Sequence, residues 1–264
     1  MLTTARAGLS HATAFRSGVI TGILFDFFGT LVEYSPSRVE QGYCATHELL
    51  LNEGVDISYA AFLDAWAASF EALDRWSRST GLEYSMEQVA LQFLSRVCPH
   101  RRSPEFSTRL WMSYLDEWST AIRYIPGVRE LLQELSARFR LGVVTNTHYA
   151  PHIHAHLREI GIAQHMTVVV TSIEHGRPKP HPSIFMSALE RLDYAASATL
   201  FVGDSYTADY LGAKGVGMQA LLIDPRRAAE IPAHEAIGSV LDVGKYVEPQ
   251  NTRPNGRDQK EKTS

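Results

Sequence analysis

Gly22-Ile23-Leu24-Phe25-Asp26-Phe27-Phe28-Gly29-Thr30-Leu31 is an apolar run that ends on a carboxylate and then breaks at a glycine. Such a run, closed by a turn residue, reads as a buried strand. Open α/β sheets carry their chemistry at the carboxyl ends of strands, so Asp26 stands where a site belongs. Beyond Thr30 the pattern changes. Tyr34-Ser35-Pro36-Ser37 suits an N-cap and turn, and helices are expected over Val39 to Asn52, Met86 to Val97 and Ser107 to Trp118. Between them Phe62, Trp66, Phe70, Leu73 and Trp76 recur at the steps of an amphipathic helix.

A second boundary falls at Tyr124-Ile125-Pro126-Gly127-Val128, followed by a helix through Leu131, Leu132 and Leu135. Strands near Leu141 to Thr145, Val168 to Thr171, Leu200 to Gly203 and Gln219 to Ile223 then alternate with helices after Pro151, after Pro182 and from Thr207. Repeated βαβ units of this kind predict an α/β fold, a Rossmann-like parallel sheet core with helices on both faces. Residues 34–123 form an all-helical insertion, and 19–33 with 124–247 form the core.

Composition narrows the function classes. With 264 residues and 45% hydrophobic content the chain can bury a substantial core. A net charge of -4 and a pI near 6.3 give no basic footprint for nucleic acid. Cys44 and Cys98 are too few for a disulfide framework and fit a reducing compartment, so a cytoplasmic location is expected. No run approaches the roughly 20 apolar residues that cross a bilayer. Residues 1–18 hold Arg6 and Arg16 but no acid, a composition shared by organellar targeting peptides and disordered leaders; a disordered leader is expected, as is a disordered tail over 248–264. No motif encodes an oligomeric state, which leaves monomer or homodimer.

Four short segments carry chemistry. In the first, Asp26 at a strand end can attack an electrophilic phosphorus or carbon, or merely cap the next turn. The second, Leu141-Gly142-Val143-Val144-Thr145-Asn146, is a strand that ends in a hydroxyl, as an ordinary turn also does. The third, Gly176-Arg177-Pro178-Lys179-Pro180-His181-Pro182-Ser183-Ile184-Phe185, holds Lys179, the only lysine between residues 1 and 213. The fourth, Leu200-Phe201-Val202-Gly203-Asp204-Ser205 with Asp209, puts two carboxylates across a strand-to-helix turn, where they can hold a hard cation through oxygen.

Taken in this order, the segments over about residues 20 to 225 resemble the haloacid dehalogenase-like (HAD) hydrolases, whose first motif is Asp-x-Asp-x-Thr/Val and whose members with an all-helical cap insert it after that motif. The resemblance implies that Asp26 is the nucleophile and that Thr145 and Lys179 hold the transferred anionic group. Thr30, the Asn146 backbone N–H, Phe28 and Arg38 are then candidates for the substrate site. It implies that Asp26, Asp204, Asp209 and the Phe28 carbonyl carry Mg²⁺, and that a small anionic molecule is the substrate.

Phe28 departs from the motif. Phosphatases of the family carry a general acid there, and losing such catalysis typically costs on the order of 10²–10⁴ in rate. One reading is an Mg²⁺-dependent phosphatase whose leaving group needs little protonation, or whose acid is Tyr34, Arg38, His148 or His175. The runner-up is a metal-independent 2-haloacid dehalogenase, since those enzymes carry Asp-x-Tyr-Gly-Thr and a halide leaves without a proton; they have Ser-Ser-Asn where this chain has Gly203-Asp204-Ser205. A third is a binding protein on the same scaffold, although Asp26, Lys179 and Asp204 are all retained. The four-residue spacing of His148, His152 and His156 admits a helical metal site, but Pro151 starts a helix after His148 and solvated surface histidines are expected. Trp66, Phe70, Trp76, Phe93, Trp111, Tyr114 and Trp118 are expected to pack the cap, some of them lining a pocket beneath it.

Overall fold

The computed structural model of the protein describes residues 19–37, 41–100 and 103–247. The expected leader and tail and Arg38 lie outside these residues. Strand β1 (Gly22–Phe25) is buried along its length because helices cover both faces of the sheet it centres. Ile23 and Phe25 join one apolar cluster and Leu24 another, which is why the run is continuously apolar rather than alternating. β2 (Val32–Glu33) and β3 (Arg123–Tyr124) stand apart from the sheet, which continues with β4 (Arg140–Thr145), β5 (Met166–Thr171), β6 (Thr199–Gly203), β7 (Gln219–Ile223) and β8 (Ala236–Ile237). All neighbours in the order β5-β4-β1-β6-β7-β8 are parallel, as the alternation predicts.

Four helices leave the core after β2: α1 (Cys44–Asn52), α2 (Tyr59–Thr80), α3 (Met86–Val97) and α4 (Pro104–Ser119). Three begin on serines whose side chains accept an amide of the first turn: Ser58 from Ala61, Ser85 from Gln88 and Ser103 from Phe106. α1 has no such cap of its own, and Glu117 of α4 takes its Ala45 and Thr46 amides at 2.8 and 2.9 Å. The helix thus starts at Cys44 rather than Val39, and Tyr34 to Ser37 are irregular rather than a helix entry. Tyr43, Phe62, Trp66, Phe93 and Tyr114 make a separate apolar core for these helices, whereas Trp76 is 38% exposed and no part of it.

The two passages between core and helices pair as an antiparallel ribbon, Val32 with Tyr124 and Glu33 with Arg123. In the core, α5 (Val128–Ser136) and α6 (Ala150–Ile160) cover one face of the sheet; a short α7 (Ser172–His175) precedes α8 (Pro182–Leu192) on the other. After β6 the chain does not enter the expected α-helix at Thr207 but a π-helical turn, Tyr206–Leu211, followed by α9 (Gly212–Gly215). Such wide turns occur often at functional sites. No described helix is long and apolar enough to cross a membrane.

Candidate active site

The chain runs from β1 outward through β4 and β5, then returns to the other side of β1 for β6, β7 and β8. The crevice of such a sheet opens where that direction reverses, beyond the ends of β1 and β6. Asp26 follows β1, its amide donating to the Val202 carbonyl of β6 at 2.9 Å. Asp204 follows β6, and Thr145 closes β4. Two glycines allow the acids to converge. Gly29 has φ +79°, and a Cβ there would run into the Asp204 carboxylate; a Cβ at Gly203 would run into that of Asp209.

Lys179 arrives from the loop before α8 and is buried to within 5% of full coverage. Its Nζ donates to Asp26 Oδ1 at 2.7 Å and to Asp209 Oδ1 at 2.6 Å. Asn146 holds the lysine backbone from both sides: its Oδ1 accepts the Lys179 amide at 2.7 Å and its Nδ2 donates to the Lys179 carbonyl at 3.0 Å. The Asn146 side chain is therefore a positioning group. Asp209 Oδ2 accepts the Ser205 amide at 2.9 Å, so both its oxygens are engaged.

One oxygen from each of Asp26, Asp204 and Asp209 lies within 4.8 Å of the others, the one such group of three potential metal ligands among the described residues. Burial pushes the Asp26 carboxyl up to about 6 against the pull of Lys179, with Asp209 adding to the rise. The surrounding protein, then Asp26 and Asp209, push Asp204 up to about 7, although part of that residue reaches solvent. Burial opposes the Lys179 ammonium, but Asp209 and Asp26 outweigh it and hold its pKa above the ordinary lysine value. Three carboxylates against one ammonium leave negative charge that an oxygen-seeking divalent cation would neutralise. The Thr145 hydroxyl is buried with no hydrogen-bond partner among the described residues, as a group waiting for a ligand would be.

These residues line a cavity of about 430 Å³ together with Phe28, Tyr34, Trp118, Asn146, His148 and His152. The Phe28 ring sits 5.3 Å from Tyr34 and 5.4 Å from Trp118 of α4, joining core to cap. Thr30 is fully buried outside the cavity lining, and its hydroxyl also lacks a partner among the described residues. Of the candidate acids, Tyr34 and His148 line the cavity; burial first, then Asp204 and Asp26, keep the Tyr34 phenol protonated well past neutrality. His148 Nδ1 lies 3.0 Å from the Tyr84 carbonyl and 3.2 Å from Glu83 of the cap. His175 instead meets Ser183 at 2.7 Å and stands outside this cavity.

The histidine series differs from the solvated surface expected of it. His148 precedes α6, but His152 and His156 face one another within it, their Nε2 atoms 2.8 Å apart. Burial and His156 push His152 down to about 4, and burial lowers His156, which favours the neutral form of both at pH 7. His152 also meets Ser119 of the cap at 2.9 Å, and His156 meets Tyr124 of the ribbon at 2.7 Å. Sequence reasoning missed His152 and Ser205 as residues of the cavity. Ser205 was signalled by its place beside Asp204; the four-residue spacing of His152 and His156 was visible, but the place of His152 in the cavity depends on Ser119 and Trp118 of the cap.

A family model for haloacid dehalogenase-like hydrolases matches residues 20–217. Ribulose-1,5-bisphosphate 5-phosphatase of Halopiger xanaduensis is 30% identical over 217 residues, 80% of this chain and 87% of that protein. Among solved structures, 2-haloacid dehalogenase from Pseudomonas syringae superposes with a TM-score of 0.66 at 20% identity, over 86% of this chain and 98% of that one. A HAD phosphatase from Thermococcus onnurineus gives 0.52 at 23% identity, over 87% and 98%. The structures share the fold; the family model and the sequence relative go further. With its carboxylates, lysine and cap on a parallel sheet, the chain belongs to the haloacid dehalogenase-like hydrolases.

Proposed function

We propose that the protein is an Mg²⁺-dependent phosphatase of small phosphate monoesters that acts through an aspartyl-phosphate on Asp26. The observation that carries this reading is the convergence of Asp26, Asp204 and Asp209 beside Lys179. The phosphatase relative supports the reaction class. Asp26, Asp204 and the Phe28 carbonyl would hold the ion, with Asp209 supporting the set through Lys179 and Ser205. When bound, the ion neutralises phosphoryl charge that would otherwise repel the nucleophile. Lys179 keeps the Asp26 carboxylate ionised and oriented, and Thr145 offers its hydroxyl to the phosphoryl oxygens. Asp26 attacks phosphorus and the ester P–O bond breaks; water then cleaves the acyl phosphate and restores the carboxylate. Because Phe28 offers no proton, the first step favours an oxygen that leaves as a stable anion.

Phosphate release from acetyl phosphate and p-nitrophenyl phosphate, with Mg²⁺ or with chelator, tests the proposal. Mg²⁺-dependent turnover that disappears in Asp26→Asn is the expected result. Chloride release from 2-chloropropionate that persists in chelator would overturn it in favour of the dehalogenase.

A further inference from the structure

Among the described lining residues the charged groups come from the core, whereas the cap presents rings together with Met86 and Leu115. Phe70 of α2 and Tyr114 and Trp118 of α4 line the cavity opposite Asp26, Lys179 and Asp204, and Phe28 and Tyr34 complete the apolar wall. These rings contact one another: Tyr34 lies 6.1 Å from Trp118, and Phe70 lies 6.0 Å from Tyr114. Among the described lining residues, Lys179 is the one side chain with a permanent positive charge, and Asp26 and Asp209 already hold it. Among the described residues of that lining, a second phosphate or carboxylate on the substrate would meet no other ammonium or guanidinium.

Resting on the phosphatase reading, we infer that the substrate is the monophosphate of an aromatic alcohol, its ring received by Phe28, Tyr34 and Trp118. Two independent features meet in this assignment. The wall is built of rings, which pair favourably with another ring in offset or edge geometry. The residue at the proton donor's position is itself one of those rings, and an aryl phosphate does not need the proton. A phenol ionises near pH 10 as tyrosine does, whereas an aliphatic alcohol holds its proton far more tightly, about as water does. A cavity of about 430 Å³ is at the smaller end of the roughly 300–1,000 Å³ typical of ligand sites and has room for a phosphate and one or two fused rings.

The chemistry balances without an acid. Asp26 displaces the aryloxide, which departs with the bonding electron pair, and the acyl phosphate dianion forms. Water adds at phosphorus, the P–O bond to Asp26 breaks, and dihydrogen phosphate leaves. The aryloxide takes up a proton from solvent, which the dihydrogen phosphate replaces, so the sum is aryl phosphate plus water giving phenol plus hydrogen phosphate.

The test is kcat/KM with Mg²⁺ on four monoesters or anhydrides: phenyl phosphate, 2-phenylethyl phosphate, ethyl phosphate and acetyl phosphate, with a sugar bisphosphate alongside. Phenyl phosphate is expected to exceed ethyl phosphate by more than 100-fold, and to have a KM below that of acetyl phosphate because only it carries a ring. 2-Phenylethyl phosphate is expected to bind nearly as well but turn over slowly. Trp118→Leu should raise the KM for phenyl phosphate by about three- to tenfold more than that for acetyl phosphate. Ethyl phosphate or the bisphosphate outrunning phenyl phosphate on the wild type would overturn the inference, as would equal KM effects of Trp118→Leu on both substrates. Either result leaves Mg²⁺-dependent hydrolysis of acetyl phosphate standing. Failure of the phosphatase reading would instead abolish phosphate release from every compound.

Discussion

Lys179→Met replaces the ammonium that holds two buried carboxylates with a neutral side chain of similar length. Nζ lies 2.7 Å from Asp26 Oδ1 and 2.6 Å from Asp209 Oδ1. Opposite charges about 4 Å apart attract by about 4 kcal/mol at the effective dielectric of a protein site. At about 1.36 kcal/mol per tenfold change in proton affinity, that equals roughly three powers of ten. In the proposed reaction Asp26 must be ionised to attack; burial raises it to about 6 in the metal-free protein, and bound Mg²⁺ pulls it back down, so activity rises with pH through a lower value. In the variant the acid limb of kcat should move up by about three pH units. Measured from the metal-free value, this leaves a few per cent of Asp26 ionised at pH 7.5, a loss of about 30-fold that bound Mg²⁺ reduces. Loss of the anion-binding charge adds a rise in KM that remains at high pH. The assay is kcat and KM for acetyl phosphate from pH 5.5 to 9.5 at fixed Mg²⁺, with circular dichroism to show that the variant is folded. A uniform loss with the acid limb unmoved would refute the argument that Lys179 keeps Asp26 ionised.

Gly29→Ala imposes φ +79° on a side chain and drives its Cβ into Asp204. The backbone term costs about 1–2 kcal/mol, and Mg²⁺-dependent turnover should fall by at least tenfold with a raised Mg²⁺ requirement. Asp204 is raised from its ordinary 3.8 to about 7, so between those values the metal-free folded protein keeps a proton that the unfolded chain has released. Its stability therefore falls as pH rises through this window. Asp204→Asn should accordingly melt a few degrees above the wild type at pH 7.5 in chelator and approach it at pH 4. The gain, about 1–2 kcal/mol after solvent screening of this part-exposed group, is read by thermal unfolding. Mg²⁺ at 100 times Kd should stabilise the wild type by about 2.7 kcal/mol, read as a higher melting temperature, and the variant far less. Glu117→Ala removes the acceptor of the Ala45 and Thr46 amides at the start of α1, and urea unfolding should report a loss of about 1–2 kcal/mol.

Much of the site is legible along the chain because its members close apolar strands. Asp26, Thr145 and Asp204 each follow a buried run, and a parallel sheet brings such ends together. Of the cap helices, α3 was legible with its start at Met86, α4 was expected only from Ser107 although Ser103 caps it at Pro104, and α1 was misplaced because its cap comes from Glu117, 72 residues from Ala45. The ribbon of β2 and β3 was not, since two residues per strand carry no period. Nor was the π-helical turn, whose winding turns Asp209 inward to Lys179 and Ser205.

By itself the sequence determined the sheet core, the helical insertion and the carboxylates and lysine at the strand ends, because period, turn residues and motif order are local properties. Only the tertiary structure decided what surrounds Phe28. Its ring meets Tyr34 at the passage from core to cap and Trp118 of α4, and His152 joins Ser119 across the same boundary. Trp118 and Ser119 come from the far end of the cap, well removed in sequence from Phe28 and His152, and contacts of that kind follow from how two apolar clusters pack rather than from any pattern within one segment.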